Sequence, residues 1–133
     1  MAAIVADTHA ALWYLTDNPR LSVTAARALD EASAAGDPIL IPSISLVELT
    51  YLIEKGRLPA EARRRLVDAL ADPEGPYELA ALDARVAEAV ERIDRNAVPD
   101  MPDRVIAATA LARALALVSR DARIRAANLQ TVW

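Results

Sequence analysis

Short apolar runs alternate along this chain with longer stretches in which apolar residues recur every three or four positions. Runs such as AAIVA and PILIP are typical of buried strands, and stretches such as AEARRRLVDALAD are typical of amphipathic helices. The pattern predicts strands over residues 2–6, 38–42, 77–82, 115–119 and 129–133. It predicts helices over residues 9–15, 22–36, 45–56, 60–72, 83–93 and 103–114, and a short helix or turn over 121–128.

The order of these elements indicates an α/β fold. Strands that alternate with helices along a chain usually form a parallel sheet with helices on both faces. We therefore expect a central parallel sheet of about five strands, with the segment 129–133 at one edge. The segment YELAAL at 77–82 is ambiguous, because alanine and leucine suit a helix as well as a strand.

Composition narrows the range of functions. A length of 133 residues suits one domain, which we expect to span residues 1–133. The chain has no cysteine and a single histidine, His9, which excludes disulfides, thiol catalysis and zinc sites built from cysteines or several histidines. The first residues lack the basic start of a signal peptide and no apolar run is long enough to cross a membrane, so we expect a cytoplasmic protein. The net charge of −4 ordinarily argues against a nucleic-acid partner, although acids that bind cations reverse their own local charge.

Acidic residues stand at the ends of predicted strands and in the first turns of the helices that follow them. In a parallel α/β fold, the carboxyl ends of strands and the amino ends of helices share one edge of the sheet, and ligands bind there. Acids from four separate segments are expected to meet at this edge, namely Asp7, Glu48, the pair Asp100 and Asp103, and Asp121.

Two interpretations of these acids remain open. Asp7, Asp103 and Asp121 can cap the helices that follow them, and the sequence SLVE at 45–48 matches a capping box between Ser45 and Glu48. Capping does not explain why IVAD, LVEL and LVSRD bring carboxylates out of apolar runs. Clustered carboxylates repel one another unless they share a positive charge, and oxygen ligands without His or Cys favour Mg²⁺ or Mn²⁺ over zinc.

Four motifs together carry a resemblance to a known family. They are DTHAALW at 7–13, SISLVE at 43–48, MPDRVIAATA at 101–110 and SRDARI at 119–124. The chain resembles the PIN-domain ribonucleases, and within them the toxin half of VapBC toxin–antitoxin pairs. The resemblance extends from the first predicted strand to the C-terminal tryptophan.

The resemblance implies a three-layer α/β/α sandwich and an acidic site at Asp7, Glu48, Asp103 and Asp121. It implies Mg²⁺ or Mn²⁺ held by Asp7, Asp103 and Asp121, with Glu48 either a ligand or the residue that orients a water molecule. Asp100, Thr8 and Ser119 match accessory positions beside the metal.

The activity that the resemblance implies is hydrolysis of RNA phosphodiester bonds by the toxin of a type II toxin–antitoxin system. A cognate antitoxin and a homodimer are the expected partners. Arg104, Arg120 and His9 lie near the same edge and are candidates for substrate binding, although for Arg104 a salt bridge to the acids is favoured. For Trp13 we expect core or interface packing rather than base stacking.

A second function is compatible with the sequence. In this alternative the chain is a catalytically inactive PIN-like binding module, and its acids mainly cap helices. Such a module has no carboxylate-dependent affinity for Mg²⁺ or Mn²⁺, so metal titration separates the two functions.

Overall fold

A computed structural model describes residues 2–133, and within them the chain forms a five-stranded parallel sheet flanked by seven helices. The strands are β1 (Ile4–Ala6), β2 (Ile39–Pro42), β3 (Tyr77–Ala80), β4 (Leu117–Val118) and β5 (Thr131–Val132). The helices are α1 (Thr8–Leu15), α2 (Val23–Ala34), α3 (Ile44–Glu54), α4 (Glu61–Ala71), α5 (Ala84–Val90), α6 (Met101–Arg113) and α7 (Ala122–Ala126). Across residues 2–133, no helix has the length and apolar character needed to cross a membrane.

The strand order is β3-β2-β1-β4-β5, and all neighbouring strands are parallel. The chain first builds outward from β1 through β2 to β3, and then crosses to the other side of β1 to add β4 and β5. This order reverses next to β1, and in open α/β sheets the crevice at such a point is where ligands bind. The topology therefore makes the end of β1, where Asp7 lies, the first place to look for a site.

Alternate residues of the central strands point into two separate cores. Ile4 and Ala6 of β1 pack into one core with α1, α2 and α4, whereas Val5 packs into the other with α5, α6 and α7. The same alternation in β2 sends Ile39 and Ile41 to the first core and Leu40 to the second. A period of two is the natural side-chain repeat of a strand. The expected three-layer α/β/α sandwich is thus confirmed.

The predicted elements are all present, and their ends differ from the predicted ones in ways that have local causes. Residues 77–80 form a strand rather than a helix, because YELA pairs along its whole length with β2. Helix α5 ends at Val90, before the predicted residue 93, because the next three N–H groups bond to carbonyls three residues back and tighten the chain. β4 and β5 are short, with two residues each instead of the five predicted for each segment.

The difference that bears most on the acids lies at α6, which begins at Met101 and not at residue 103. Pro102 is compatible with this early start. The backbone N–H groups of a helix's first turn have no carbonyl partner within the helix, so proline, which has no N–H, loses no hydrogen bond there. The shift moves Asp103 from the predicted first residue of the helix into its first turn, and it makes Asp100 the N-cap.

A buried hydrogen bond joins the sheet to α1 and allows a test of the fold. The hydroxyl of Tyr77, on β3, donates to the backbone carbonyl of Ala11 at 2.5 Å in a buried setting. Tyr14 donates to Asp30 at 2.7 Å, but this bond is exposed to water. We predict that Tyr77→Phe lowers the free energy of unfolding by about 1–2 kcal/mol, whereas the matched change Tyr14→Phe lowers it by less than about 0.5 kcal/mol. Urea unfolding of both variants measures the difference, and equal effects would contradict the assignment of Tyr77 as a buried link.

Candidate metal centre

A cleft of about 610 Å³ opens at the edge of the sheet where β1, β2 and β4 end. Acidic side chains from the beginnings of four helices line it, namely Asp7, Glu48, Asp100, Asp103 and Asp121. The structure therefore brings together at one site all five acids that the sequence placed at this edge.

Asp7 connects β1 to α1 and is the N-cap of that helix. Its Oδ1 accepts a hydrogen bond from the Ala10 N–H at 2.9 Å, so the capping interpretation is correct for one of its oxygens. Burial raises the pKa of Asp7, and hydrogen bonds from Ser119 and from the Ala10 N–H offset part of that rise. Capping and a role in the cleft are compatible, because a carboxylate has two oxygens and several lone pairs.

Glu48 is held by a hydroxyl pair and not by a capping box. Helix α3 begins at Ile44, so Ser45 lies inside its first turn, and the predicted pairing of Ser45 with Glu48 is wrong. The Thr8 Oγ1 lies 2.9 Å from the Ser45 Oγ and 2.5 Å from the Glu48 Oε1. A hydroxyl has one proton and an ionised carboxylate only accepts, so Thr8 donates to Glu48 and accepts from Ser45. The side chain of Thr8, on α1, thereby orients a carboxylate on α3.

Asp100 and Asp103 have different local roles at the start of α6. Asp100 caps the helix through its Oδ2, which accepts from the Asp103 N–H at 3.2 Å. The prediction that Asp103 caps this helix is therefore wrong. Its carboxylate lies among the other acids of the cleft.

Asp121 caps α7 and is tied to Asp7 through a buried serine. Its Oδ1 accepts from the N–H groups of Arg123 and Ile124, at 2.8 and 3.4 Å. The N–H of Asp121 donates to the Ser119 Oγ at 3.1 Å, and the Ser119 hydroxyl in turn bonds to Asp7. Ser119 is fully buried, and the Asp7 N–H also donates to the Val118 carbonyl at 3.0 Å, so these bonds join the ends of β1 and β4.

Three of the acids are close enough to share one ion. Glu48, Asp100 and Asp103 each offer an oxygen, and these oxygens lie within 4.8 Å of one another. Asp7 and Asp121 line the same cleft outside this close group. The closest group thus contains Asp100, which the sequence ranked as accessory, together with two of the predicted principal acids.

The crowding of carboxylates changes the protonation of Asp103. Burial, followed by the negative charges of Asp100, Glu48 and Asp121, raises the pKa of Asp103 to about 8 from an ordinary value of 3.8. The folded state therefore holds this proton more tightly than the unfolded chain does. The stability that Asp103 contributes is fully present below about pH 4 and is lost as the pH rises through about 8.

The candidate substrate-binding residues divide into two groups. Arg120 and His9 line the cleft. Among the described residues 2–133, Arg104 is not part of the cleft lining. Its Nε donates to the Ile93 carbonyl at 3.0 Å, and this bond joins α6 to the segment that follows α5. The predicted interaction of Arg104 with the acids is thus replaced by a bond to the backbone.

Trp13 is a packed residue, as the sequence predicted. It is only 7% exposed, and its ring contacts those of His9 and Trp133 at centroid distances of 5.5 and 6.1 Å. The guanidinium of Arg120 lies over the Trp13 ring, 4.7 Å from its centroid, which is a cation–π contact. The indole therefore positions an arginine at the cleft.

Several residues of the cleft were not selected from the sequence. Tyr51, Lys55, Arg57 and Met101 line it beside the acids. The available signal was helical spacing, since Tyr51 and Lys55 are three and seven residues after Glu48 and so lie near its face of α3. That signal is weak, because the same spacing occurs on any exposed helix face.

Comparison with known proteins agrees with the fold. A model of the PIN domain family matches residues 4–129. Ribonuclease VapC22 from Mycobacterium tuberculosis (strain ATCC 25618 / H37Rv) is 27% identical over 136 residues, and the match covers 100% of both chains.

Two crystal structures have a similar fold. One is VapBC2 from Rickettsia felis bound to a DNA fragment from their promoter, with a TM-score of 0.68, 19% identity, and coverage of 98% of this chain and 97% of that chain. The other is FitAcB from Neisseria gonorrhoeae, with a TM-score of 0.59, 19% identity, and coverage of 98% and 96%. At this identity the structures support the fold, whereas the family model spans nearly the whole sequence. The chain belongs to the PIN domain family.

Proposed function

We propose that this protein is a ribonuclease that depends on Mg²⁺ or Mn²⁺ and acts as the toxin of a type II toxin–antitoxin pair. The observation that carries the proposal is the group of carboxylates from Glu48, Asp100 and Asp103, with Asp7 and Asp121 in the same cleft. The similarity to Ribonuclease VapC22 and to the VapBC2 complex supports the same function.

The donor set of the cleft fits a hard divalent cation. Every close donor is a carboxylate oxygen, and Mg²⁺ and Mn²⁺ prefer such ligands. Burial, together with the neighbouring negative charges, raises the pKa of Asp103, so a positive charge among the acids is favoured, and without a cation that charge is a proton. We propose Asp7, Asp103 and Asp121 as ligands, with Glu48 and Asp100 close enough to Asp103 to join them.

The residues around the acids have separable tasks in phosphodiester hydrolysis. A bound divalent cation supplies Lewis-acid stabilisation of the phosphate and a more acidic water molecule. Thr8 holds the Glu48 carboxylate in a fixed orientation through its hydroxyl. The Ser119 hydroxyl bonds to the Asp7 carboxylate and accepts from the backbone N–H of Asp121, and Arg120 presents a cation to the substrate phosphate. The chain thus preorganises the site with hydrogen bonds to the hydroxyl groups of Thr8 and Ser119.

A protein partner is part of the proposal. We propose that a VapB-like antitoxin occupies the cleft, which the similarity to the VapBC2 structure supports, and that the toxin forms a homodimer, as the resemblance to VapC toxins implies. A basic side chain of the antitoxin placed among the acids would provide the positive charge that the cluster requires. Mg²⁺ and the antitoxin are then expected to exclude one another.

The inactive binding module remains the competing function. Its acids would act as helix caps, and Asp7, Asp100 and Asp121 do cap helices. Asp103 caps nothing and Glu48 bonds to a hydroxyl, so capping leaves these two acids without a reason to face each other. The two functions therefore differ most sharply at Asp103.

We predict that Asp103→Asn reduces Mg²⁺-dependent RNA cleavage by at least about 100-fold, because the change removes a ligand charge while it keeps the side-chain shape. The matched control is Asp68→Asn, an exposed acid on α4, which should retain full activity. Cleavage of a labelled single-stranded RNA by both variants provides the measurement, and near-normal activity of Asp103→Asn would exclude the assigned site.

Stability provides a second readout on the same variant. Without metal, the thermal unfolding midpoint of the unmodified chain should fall as the pH rises toward about 8, because Asp103 loses its proton among other negative charges. The Asp103→Asn variant should lose less stability over this range and should be at least as stable at its upper end. An unfolded variant would show that Asp103 serves the fold instead of the site.

We predict strict metal selectivity. Mg²⁺ and Mn²⁺ should support cleavage, whereas Ca²⁺ should bind with little turnover, because its larger and looser coordination shell suits in-line displacement poorly. Zn²⁺ should not be preferred, since the cleft offers His9 as its only nitrogen ligand among the described residues. Cleavage assays in EDTA, with each metal added back, test this selectivity, and full activity in EDTA would contradict it.

A further inference from the structure

One wall of the cleft is formed by a single face of α3. Val47, Tyr51 and Lys55 are spaced four residues apart, and all three line the cleft. Glu48 lies near the start of this wall. Lys55 lies at its end, about 10 Å further along the helix axis at 1.5 Å per residue. The wall therefore passes from an acid, through an aromatic ring, to a cation.

Tyr51 is an exposed aromatic side chain of the cleft. It is 58% exposed, whereas Trp13 is 7% exposed and has its ring covered by Arg120 and Trp133. Burial of a tyrosine ring normally stabilises a fold, so an aromatic ring left in a cleft is available to a ligand. Flat apolar groups are the ligands that such a ring binds best.

Two cations line the same cleft just after α3. Lys55 directly follows α3, and Arg57 comes two residues later; both are exposed and both line the cleft. Between them, Gly56 has a φ of +73°, a left-handed conformation that other residues adopt at a cost. Gly56 turns the chain immediately after the helix, and the side chains of Lys55 and Arg57 both line the cleft.

Positive charge is also present on the other side of the acids. Arg120 follows β4, and α3 follows β2, and these two strands flank β1 on opposite sides. The acidic centre is therefore bordered by Arg120 on one side and by Lys55 with Arg57 on the other. A polyanion that crosses the centre can place phosphates at both borders.

We infer that Tyr51, Lys55 and Arg57 form a subsite for one unstacked base and its adjoining phosphate in a single strand of RNA. The inference rests on the proposed ribonuclease function and assigns to these residues the binding of substrate beside the acidic centre. A base stacked on Tyr51 must be free of its own neighbours, which selects a loop or single strand over a regular duplex. The alternation of an aromatic ring with cations is the usual composition of single-strand binding surfaces.

An apolar protein segment is a poorer match for this wall than an RNA strand is. An apolar segment would cover Tyr51 and Val47, but it would gain nothing from the two cations and would restrict their hydration. The charge of Lys55 and Arg57 is what favours an anionic strand as the occupant.

The test measures binding without cleavage. In the Asp103→Asn background, fluorescence anisotropy follows a labelled single-stranded oligoribonucleotide of mixed sequence, about ten nucleotides long. Tyr51→Leu should weaken binding about fivefold or more, because it removes a stacking surface but keeps an apolar side chain, and Tyr51→Phe should restore most of the affinity. A duplex of the same sequence should compete poorly.

The cations have their own matched control. Lys55→Gln should weaken binding and reduce the dependence of affinity on salt by roughly one counterion. Arg64→Gln removes an equally exposed charge on α4, outside the cleft, and should leave both quantities unchanged. Equal effects of Lys55→Gln and Arg64→Gln would show that only the net charge matters and would overturn the subsite.

The outcomes separate this inference from the proposed function. If the unmodified chain cleaves RNA with Mg²⁺ and Tyr51→Leu leaves both KM and oligonucleotide affinity unchanged, the subsite is wrong and the ribonuclease stands. If the unmodified chain does not cleave RNA under any metal, the proposed function fails, whatever Tyr51 does. If Tyr51→Leu weakens a copurified protein partner but not RNA, α3 is a protein-binding face and the inference is overturned.

Discussion

Mutual repulsion among the carboxylates at the end of β1 is the constraint on which the rest of this site depends. The parallel sheet brings the beginnings of α1, α3, α6 and α7 to one edge, and each of them carries an acid into the cleft. Burial adds to the repulsion, because it removes the water that screens like charges. Burial and these neighbouring charges together raise the pKa of Asp103 to about 8.

The surrounding structure fixes the acids in spite of their repulsion. At Asp7, Asp100 and Asp121, backbone N–H groups of the following helix donate a hydrogen bond to one oxygen of the carboxylate. The Thr8 hydroxyl donates to the Glu48 carboxylate. The Ser119 hydroxyl bonds to the Asp7 carboxylate and accepts from the backbone N–H of Asp121. The bonds to helix amides also place the partial positive charge of a helix terminus next to each acid. Capping is therefore the means by which the fold tolerates the site, and the two interpretations of the acids are complementary.

The sequence predicted the architecture well, because the two periodicities of the chain are clear. Strand alternation and helical spacing gave the order of the elements and the edge at which the acids meet. They did not give the start of α6, since Pro102 suggests a break ahead of a helix as readily as a first turn within it. They also did not give the bond from Arg104 to Ile93 or the contact of Arg120 with Trp13, because both join segments whose separation is set by packing. Tyr51 was missed for a related reason, because its exposure depends on how the helices pack and cannot be predicted from its position in the sequence.

The central claim is that a divalent cation and a proton compete for the same carboxylates, and calorimetry tests it most directly. Mn²⁺ binding is measured at pH 7 in two buffers with different heats of ionisation, for the unmodified chain and for Asp103→Asn. Because the pKa of Asp103 is raised to about 8, the unmodified chain should release close to one proton as Mn²⁺ binds, and the variant should release almost none and bind more weakly. Absence of Mn²⁺ binding, or tight binding without proton release, would contradict the account.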